Sequence, residues 1–373
     1  QFSIVSKIPN NVSYDVFIIA VGTPLEEDKK APNLSSLKDV IQEVGKNLRI
    51  GSLVCMRSTV PVGYTRKEVL PKLEDASNLI SGADFHIAFV PERTIEGKAL
   101  SELKENTQII GGLTDKCVEK ATNLFYRLTS TIVNVSTLEA AELIKFVDNT
   151  YRDVTFAYAN EVAMISEHMG LDAFEIIKSA NIHYPRNNVP IPSPGVGGAC
   201  LSKDPYILID TAEKHGYSPN LISEARKVNE IMPKRIVERL KLKSMELGKD
   251  LDSSIILICG FAFKGNPETT DLRNSTTLWL LNSLKLETDC EIRGYDPIVN
   301  DNEINELGVV PVSLPEGFEN VDILIVANNH NSFKYWDINE INTKINHPCI
   351  IYDGWRMLNL NTIKDNKNII YMA

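Results

Sequence analysis

The segment Pro194-Gly195-Val196-Gly197-Gly198-Ala199-Cys200-Leu201-Ser202-Lys203-Asp204-Pro205 concentrates residues that could do chemistry. Its glycines permit positive φ angles and close approach of backbone to a ligand, and Asp204 followed by Pro205 reads as the N-cap and first residue of a helix. Cys200 would then lie near a helix N-terminus, where the dipole and the Lys203 ammonium favour thiolate over thiol. It is either a nucleophile or merely a small residue in a tight turn, since free cysteines are commonly buried. Glu142, Lys145, Asn149 and Arg152 recur at three- and four-residue spacing, so they share one stripe of a helix. That stripe is either a solvated face with intrahelical ion pairs or a row of working groups. Thr23, Thr59 and Glu92 each follow an apolar run, at the carboxyl end of an expected strand.

The elements that hold these groups belong to more than one core. A chain of 373 residues calls for two or three domains, and 43% hydrophobic with 24% charged residues describes a globular protein. The net charge of -10 argues against a nucleic-acid groove or a polybasic membrane patch, so any anionic ligand needs a local cluster of cations. Cys55, Cys117, Cys200, Cys259, Cys290 and Cys349 show no paired or metal-ligating spacing, which predicts no metal site and a reduced, cytoplasmic protein. No apolar run is long enough to span a bilayer, and Gln1 begins neither a signal peptide nor an anchor.

Val16 to Val21, Leu53 to Met56, His86 to Val90 and Gln108 to Gly112 read as buried strands, with helices over Ser35 to Leu48 and Tyr64 to Leu73 between them. This alternation predicts a doubly wound sheet. A dinucleotide-binding fold opens with strand, G-x-G-x-x-G and helix, and nothing before Val16 supplies them. The expectation is that the native protein carries residues upstream. Ser136 and Glu139 form a capping box for a helix to about Met169, rich enough in apolar residues to lie between domains or subunits. Helices follow over Ala173 to Ala180, Pro205 to Gly216 and Leu221 to Leu247. Strands through Asp252 to Gly260, Cys290 to Pro297, Val321 to Ala327 and Cys349 to Gly354 build a second sheet, whose first turn, Phe261 to Asn266, lacks the dinucleotide glycines. The fold class is α/β: two Rossmann-like doubly wound domains joined by an all-α central domain with a long helix. Its expected boundaries are 1–135, 136–250 and 251–373.

Val21-Gly22-Thr23-Pro24, Ser58 to Gly63, Pro91-Glu92-Arg93, Glu142 with Lys145 and Asn149, Gly197 to Cys200 with Lys203-Asp204, and Gly260 to Lys264 with Asp271-Leu272-Arg273 occur in one order along nearly the whole chain. In this the sequence resembles the UDP-glucose/GDP-mannose dehydrogenase family. Pro91-Glu92-Arg93, Asn149 to Asp153 and Tyr184-Pro185-Arg186 are more similar to the branch acting on UDP-N-acetylhexosamines.

The resemblance implies oxidation of a sugar C6 alcohol to a carboxylate by two NAD+, with UDP-N-acetylmannosamine as first substrate choice, UDP-N-acetylglucosamine second and UDP-glucose third. Cys200 would carry a thiohemiacetal and then a thioester. Lys145 would act as general acid/base or oxyanion stabiliser, Asn149 would donate beside it, and Asp204 would orient water unless it is only a helix cap. Glu92 is the candidate hydrolytic base, and Thr59 would hold a water or the cofactor. Val21, Gly22, Thr23, Thr59, Lys203 and Arg273 are placed toward NAD. Arg93, Thr94, Lys145, Asn149, Arg152, Tyr184, Arg186, Gly197, Lys264 and Gly265 are placed toward the UDP-sugar. The long helix would pack against its mate in a homodimer or larger homo-oligomer, with Arg186 reaching the neighbour's site. Arg356 is either a further substrate contact or a surface ion pair. Two rivals remain: a catalytically silent sugar-nucleotide-binding protein, and a two-electron hydroxyacid dehydrogenase that has no need of Cys200.

Overall fold

The computed structural model describes residues 3–9, 12–26, 30–364 and 366–373, so Gln1 lies outside the described residues. The chain forms two compact units, one of Gln1–Tyr151 with Lys203–Asn220 and one of Arg152–Ser202 with Leu221–Ala373.

The first unit holds a five-stranded sheet of β1 (Val16–Ile19), β2 (Leu53–Met56), β3 (His86–Phe89), β4 (Gln108–Gly112) and β5 (Ile132–Val135), in that order. β1, β2 and β3 are parallel, with Ile19 opposite Met56 and Met56 opposite Phe89. The segments beginning at Val21, Arg57 and Val90 therefore leave the sheet at one edge, the edge where α/β folds place their ligands. Every residue of β2 and β3 is buried, as their unbroken apolar runs require. The helix Ser35–Lys46 turns Leu37, Ile41 and Val44 onto this core, each worth about 1.5–3 kcal/mol of apolar burial.

Two local features depart from expectation. β4 runs antiparallel to β3, because the intervening helix Ala99–Glu105 buries none of its residues and so does not pack on the sheet as a crossover helix does. The expected helix from Tyr64 opens as a π-helical turn, Thr65–Val69, and becomes α-helical over Leu70–Ser77. Pro71, which has no N–H to donate, sits where the two meet.

The second unit holds six parallel strands: β6 (Ile255–Cys259), β7 (Glu291–Tyr295), β8 (Val310–Pro311), β9 (Ile323–Val326), β10 (Cys349–Asp353) and β11 (Ile369–Met372). Their order, β11-β10-β9-β6-β7-β8, is that of a doubly wound nucleotide-binding sheet with its topological switch between β6 and β9. β8 and β11 went unforeseen: one is two residues long and the other is a partly exposed edge.

The long helix runs over Leu138–His168. Its cap is Thr137 rather than Ser136, since the Thr137 hydroxyl accepts from the Ala140 amide at 3.0 Å. The helix Asn220–Glu246 passes through Pro233, which cannot donate to the Asn229 carbonyl. That carbonyl lies where a Cβ on Gly195 would come within 2.7 Å of it, and Gly195 also has φ +101°. No helix among the described residues is long and apolar enough to cross a membrane.

Candidate active site

In the first unit the polar stripe of the long helix proves to be largely buried, which removes the solvated-face reading for Glu142 and Asn149. The Glu142 carboxylate, 1% exposed, accepts from the Gly63 and Thr65 amides at 2.5 and 2.9 Å, partners that open the π-helical turn. Burial outweighs these bonds and pushes its proton affinity up. Lys145 donates from Nζ to the Glu92 carbonyl. Asn149 donates to Asp204 at 2.5 Å.

Asp204, fully buried, is the first residue of the helix Asp204–Lys214 and not its cap. The N-cap is Lys203, and no side chain caps that end. Asp204's carboxylate is instead turned to Asn149 and to the Lys203 ammonium at 3.3 Å. Lys203 also reaches the Thr23 hydroxyl at 3.3 Å, and that hydroxyl donates to the Thr59 carbonyl at 2.7 Å. Lys203, Asp204, Asn149, Thr23 and Thr59 are thus one connected polar cluster. Val21 is half-buried beside it in sequence; Gly22 is exposed, with no heavy atom within 4 Å of an added Cβ, so the end of β1 opens on free space.

Glu92 is paired with Arg57, a buried cation that inspection of the sequence missed. Its other oxygen accepts from the amides of Arg93 and Thr94, each at 2.9 Å. Burial alone would push this carboxyl up; the Arg57 charge and the bonds from Thr94 and Arg57 outweigh it and hold the group below the usual carboxylate range. Such a carboxylate is a weakened base. A depressed folded-state value stabilises the fold above the group's ordinary pKa, and that stability is lost as pH falls through the depressed value. Arg57→Met is therefore expected to lower the melting temperature at pH 7 and progressively less on acidification; an equal loss at pH 7 and pH 3 would contradict the pairing. Arg93 pairs with Asp148 at 2.7 Å.

In the second unit, Cys200 is exposed, so its thiol is open to solvent. Its loop is confined nonetheless. Gly198 has φ +87°, and a Cβ on Gly197 would stand 2.1 Å from the Asn274 carbonyl. Cys55, Cys117, Cys259 and Cys349 are buried, and Cys290 is half-buried. Burial pushes the thiols of Cys55 and Cys349 up to about 12 and raises those of Cys259 and Cys290. Iodoacetamide at pH 8 is expected to label Cys200 at least about tenfold faster than any other cysteine. Peptide mass spectrometry reads the ratio, and uniform labelling would be the contrary result.

Lys264 and Gly265 follow β6 at the switch point. The Gly265 amide donates to Asn329 at 2.8 Å, and a Cβ on Gly265 would clash with the His330 amide at 2.1 Å. Asn328, Asn329 and His330 were not picked out from the sequence; their position after β9 was the available signal. Arg152 is exposed. Tyr184 and Arg186 are exposed and stacked, with the guanidinium 4.5 Å from the ring centroid. Arg273, exposed, pairs with Asp271 at 2.6 Å. Arg356 forms an ion pair with Asp172 at 2.6 Å and lies 4.3 Å from the Phe174 ring centroid. The structure thus gathers Thr23, Thr59, Glu92, Arg93, Thr94, Lys145, Asn149, Lys203 and Asp204 in one unit. Arg152, Tyr184, Arg186, Gly197, Cys200, Lys264, Gly265 and Arg273 belong to the other.

Parallel strand ends carrying a threonine-lysine-carboxylate cluster, and a second sheet of nucleotide-binding order, define an α/β protein of the nucleotide-binding class. The chain belongs to the UDP-glucose/GDP-mannose dehydrogenase family, matching its NAD binding domain over residues 2–129, its central domain over 139–231 and its UDP binding domain over 257–360. It is an NAD-dependent dehydrogenase. The chain is similar to the UDP-N-acetyl-D-mannosamine dehydrogenase of Pyrococcus horikoshii, at 34% identity over 95% of this chain and 80% of that protein. The solved structure of the Pyrococcus horikoshii UDP-D-ManNAc dehydrogenase superposes with a TM-score of 0.86 at 33% identity, covering 96% of this chain and 80% of that one. An NDP-N-acetyl-D-galactosaminuronic acid dehydrogenase of Ralstonia solanacearum is 31% identical over 89% of this chain and 77% of its own length.

Proposed function

We propose that this protein oxidises the C6 alcohol of a UDP-N-acetylhexosamine, UDP-N-acetyl-D-mannosamine before others, to the uronate. The balance is one alcohol, two NAD+ and one water giving one carboxylate, two NADH and three protons. NAD, when bound, supplies the hydride acceptor. The residues present fit it: Val21, Gly22, Thr23, Thr59 and Lys203 offer hydroxyl, amide and ammonium groups at an open strand end, and Arg273 is proposed as a further cation for NAD.

The observation that carries the reading is an exposed thiol on a glycine-confined loop. Its thiolate adds to the C6 aldehyde to give a thiohemiacetal; loss of the second hydride leaves a thioester, which water hydrolyses. Lys145 takes or returns the proton of the C6 oxygen, or stabilises it as an oxyanion, with Asn149 as a neighbouring donor. Asp204 orients the hydrolytic water, and Thr59 holds a water or the cofactor near it. Glu92 is the base of hydrolysis only when its pairing with Arg57 loosens. Arg93, Thr94, Arg152, Tyr184, Arg186, Gly197, Lys264 and Gly265 bind the UDP-sugar, the cations meeting its pyrophosphate. The three functional segments are 1–135 for NAD, 136–250 for Lys145 and Cys200, and 251–373 for UDP.

A homodimer in the cytoplasm completes the proposal. Leu143, Val147 and Tyr151 are each at least 40% exposed along the first unit's part of the long helix at four-residue spacing, a stripe suited to a second copy. All six cysteines are free. Sedimentation equilibrium is expected to give a dimer or larger mass, and a monomer at micromolar concentration would remove this part. The activity is tested with a panel of UDP-sugars assayed for NADH and uronate. Fastest turnover of UDP-N-acetylmannosamine with two NADH per sugar is expected. One NADH per sugar would favour the two-electron rival, and binding without NADH the silent one.

A further inference from the structure

We infer that Arg226, remote in sequence from the cysteine loop, is the residue that positions Cys200. This rests on the reading of Cys200 as nucleophile. The Arg226 side chain is fully buried and paired with the fully buried Asp153 at 2.5 Å. Its Nη1 also donates to the Val196 and Leu201 carbonyls at 3.3 and 3.1 Å, and its Nη2 donates to the Val196 carbonyl at 3.2 Å and to Glu230 at 3.4 Å. Those two carbonyls flank the segment from Gly197 to Cys200, so one planar guanidinium fixes the chord of the loop at both ends.

The fork is oriented in turn. Asn229 donates to the carboxylate and carbonyl of Asp153, each at 2.9 Å; Asn160 donates to Asn229 at 3.0 Å and accepts from the Ser193 amide at 2.8 Å. A buried ion pair is weak evidence for stability, because desolvation offsets its attraction. Its geometric content is the stronger point here: an ammonium cannot reproduce a rigid fork spanning two carbonyls and a carboxylate. The long helix and the helix Asn220–Glu246 thereby hold the backbone at both ends of the Cys200 loop.

The test uses the full chain with Arg226→Lys and with the charge-neutral pair Asp153→Asn plus Arg226→Gln. At least one variant is expected to melt cooperatively, to keep its KM for the UDP-sugar within threefold, and to lose at least tenfold in kcat for uronate. Its Cys200 alkylation rate by iodoacetamide is also expected to change at least threefold. A folded variant with kcat and alkylation both within threefold of the parent, a kcat loss matched by an equal KM rise, or loss of cooperative melting in both variants overturns the inference. Cys200→Ser separates the two levels. If that change leaves uronate formation intact, the nucleophile reading fails; if it stops uronate formation while Arg226 variants behave as the parent, only the positioning role fails.

Discussion

Cys200→Ser is expected to reduce uronate formation by ~10³-fold or more while leaving the UDP-sugar dissociation constant within about threefold. The alcohol-to-aldehyde step needs a proton acceptor and a hydride acceptor but no thiolate. Only the second oxidation requires the sulfur to hold the aldehyde carbon as a tetrahedral adduct. The serine hydroxyl is a far poorer nucleophile at neutral pH than a thiol. The variant should therefore give at most one NADH per sugar, with aldehyde trappable by hydroxylamine. Parent-level uronate production would exclude the thioester route while leaving family membership untouched.

Lys145→Met should have the next largest effect, a fall in kcat of roughly 10²–10⁴-fold, the usual contribution of a positioned general acid or base. Lys145 reaches the Glu92 carbonyl from the same helical stripe that sends Asn149 to Asp204. Methionine keeps much of the apolar stem while removing the charge and its donors, so the first as well as the second NADH should slow. In this it differs from the cysteine variant, whose defect falls on the second. A Lys145→Met enzyme within tenfold of the parent kcat would mean that the ammonium serves the fold and not the reaction.

The sequence by itself determined the features that arise within a few residues. Continuous apolar runs located β2, β3, β4, β9 and β10 to within a residue or two, because a strand buried on both faces has no polar positions to hide. Three- and four-residue spacing put Glu142, Lys145 and Asn149 on one side of a helix, and the glycines around Cys200 marked a confined loop. Tertiary structure alone decided what those groups touch. Glu92 meets Arg57 across 35 residues of sequence, Asp204 meets Asn149 across 55, Glu142 meets Thr65 across 77, and Arg226 meets Asp153 across 73. Asp204 is a case of both: its place before Pro205 suggested a local cap, and a buried amide from another helix claimed its carboxylate instead. The physical reason is range. Strand pattern and helical spacing are set by bonds between near neighbours, whereas a buried charge takes whichever partner the packed core brings within hydrogen-bond distance.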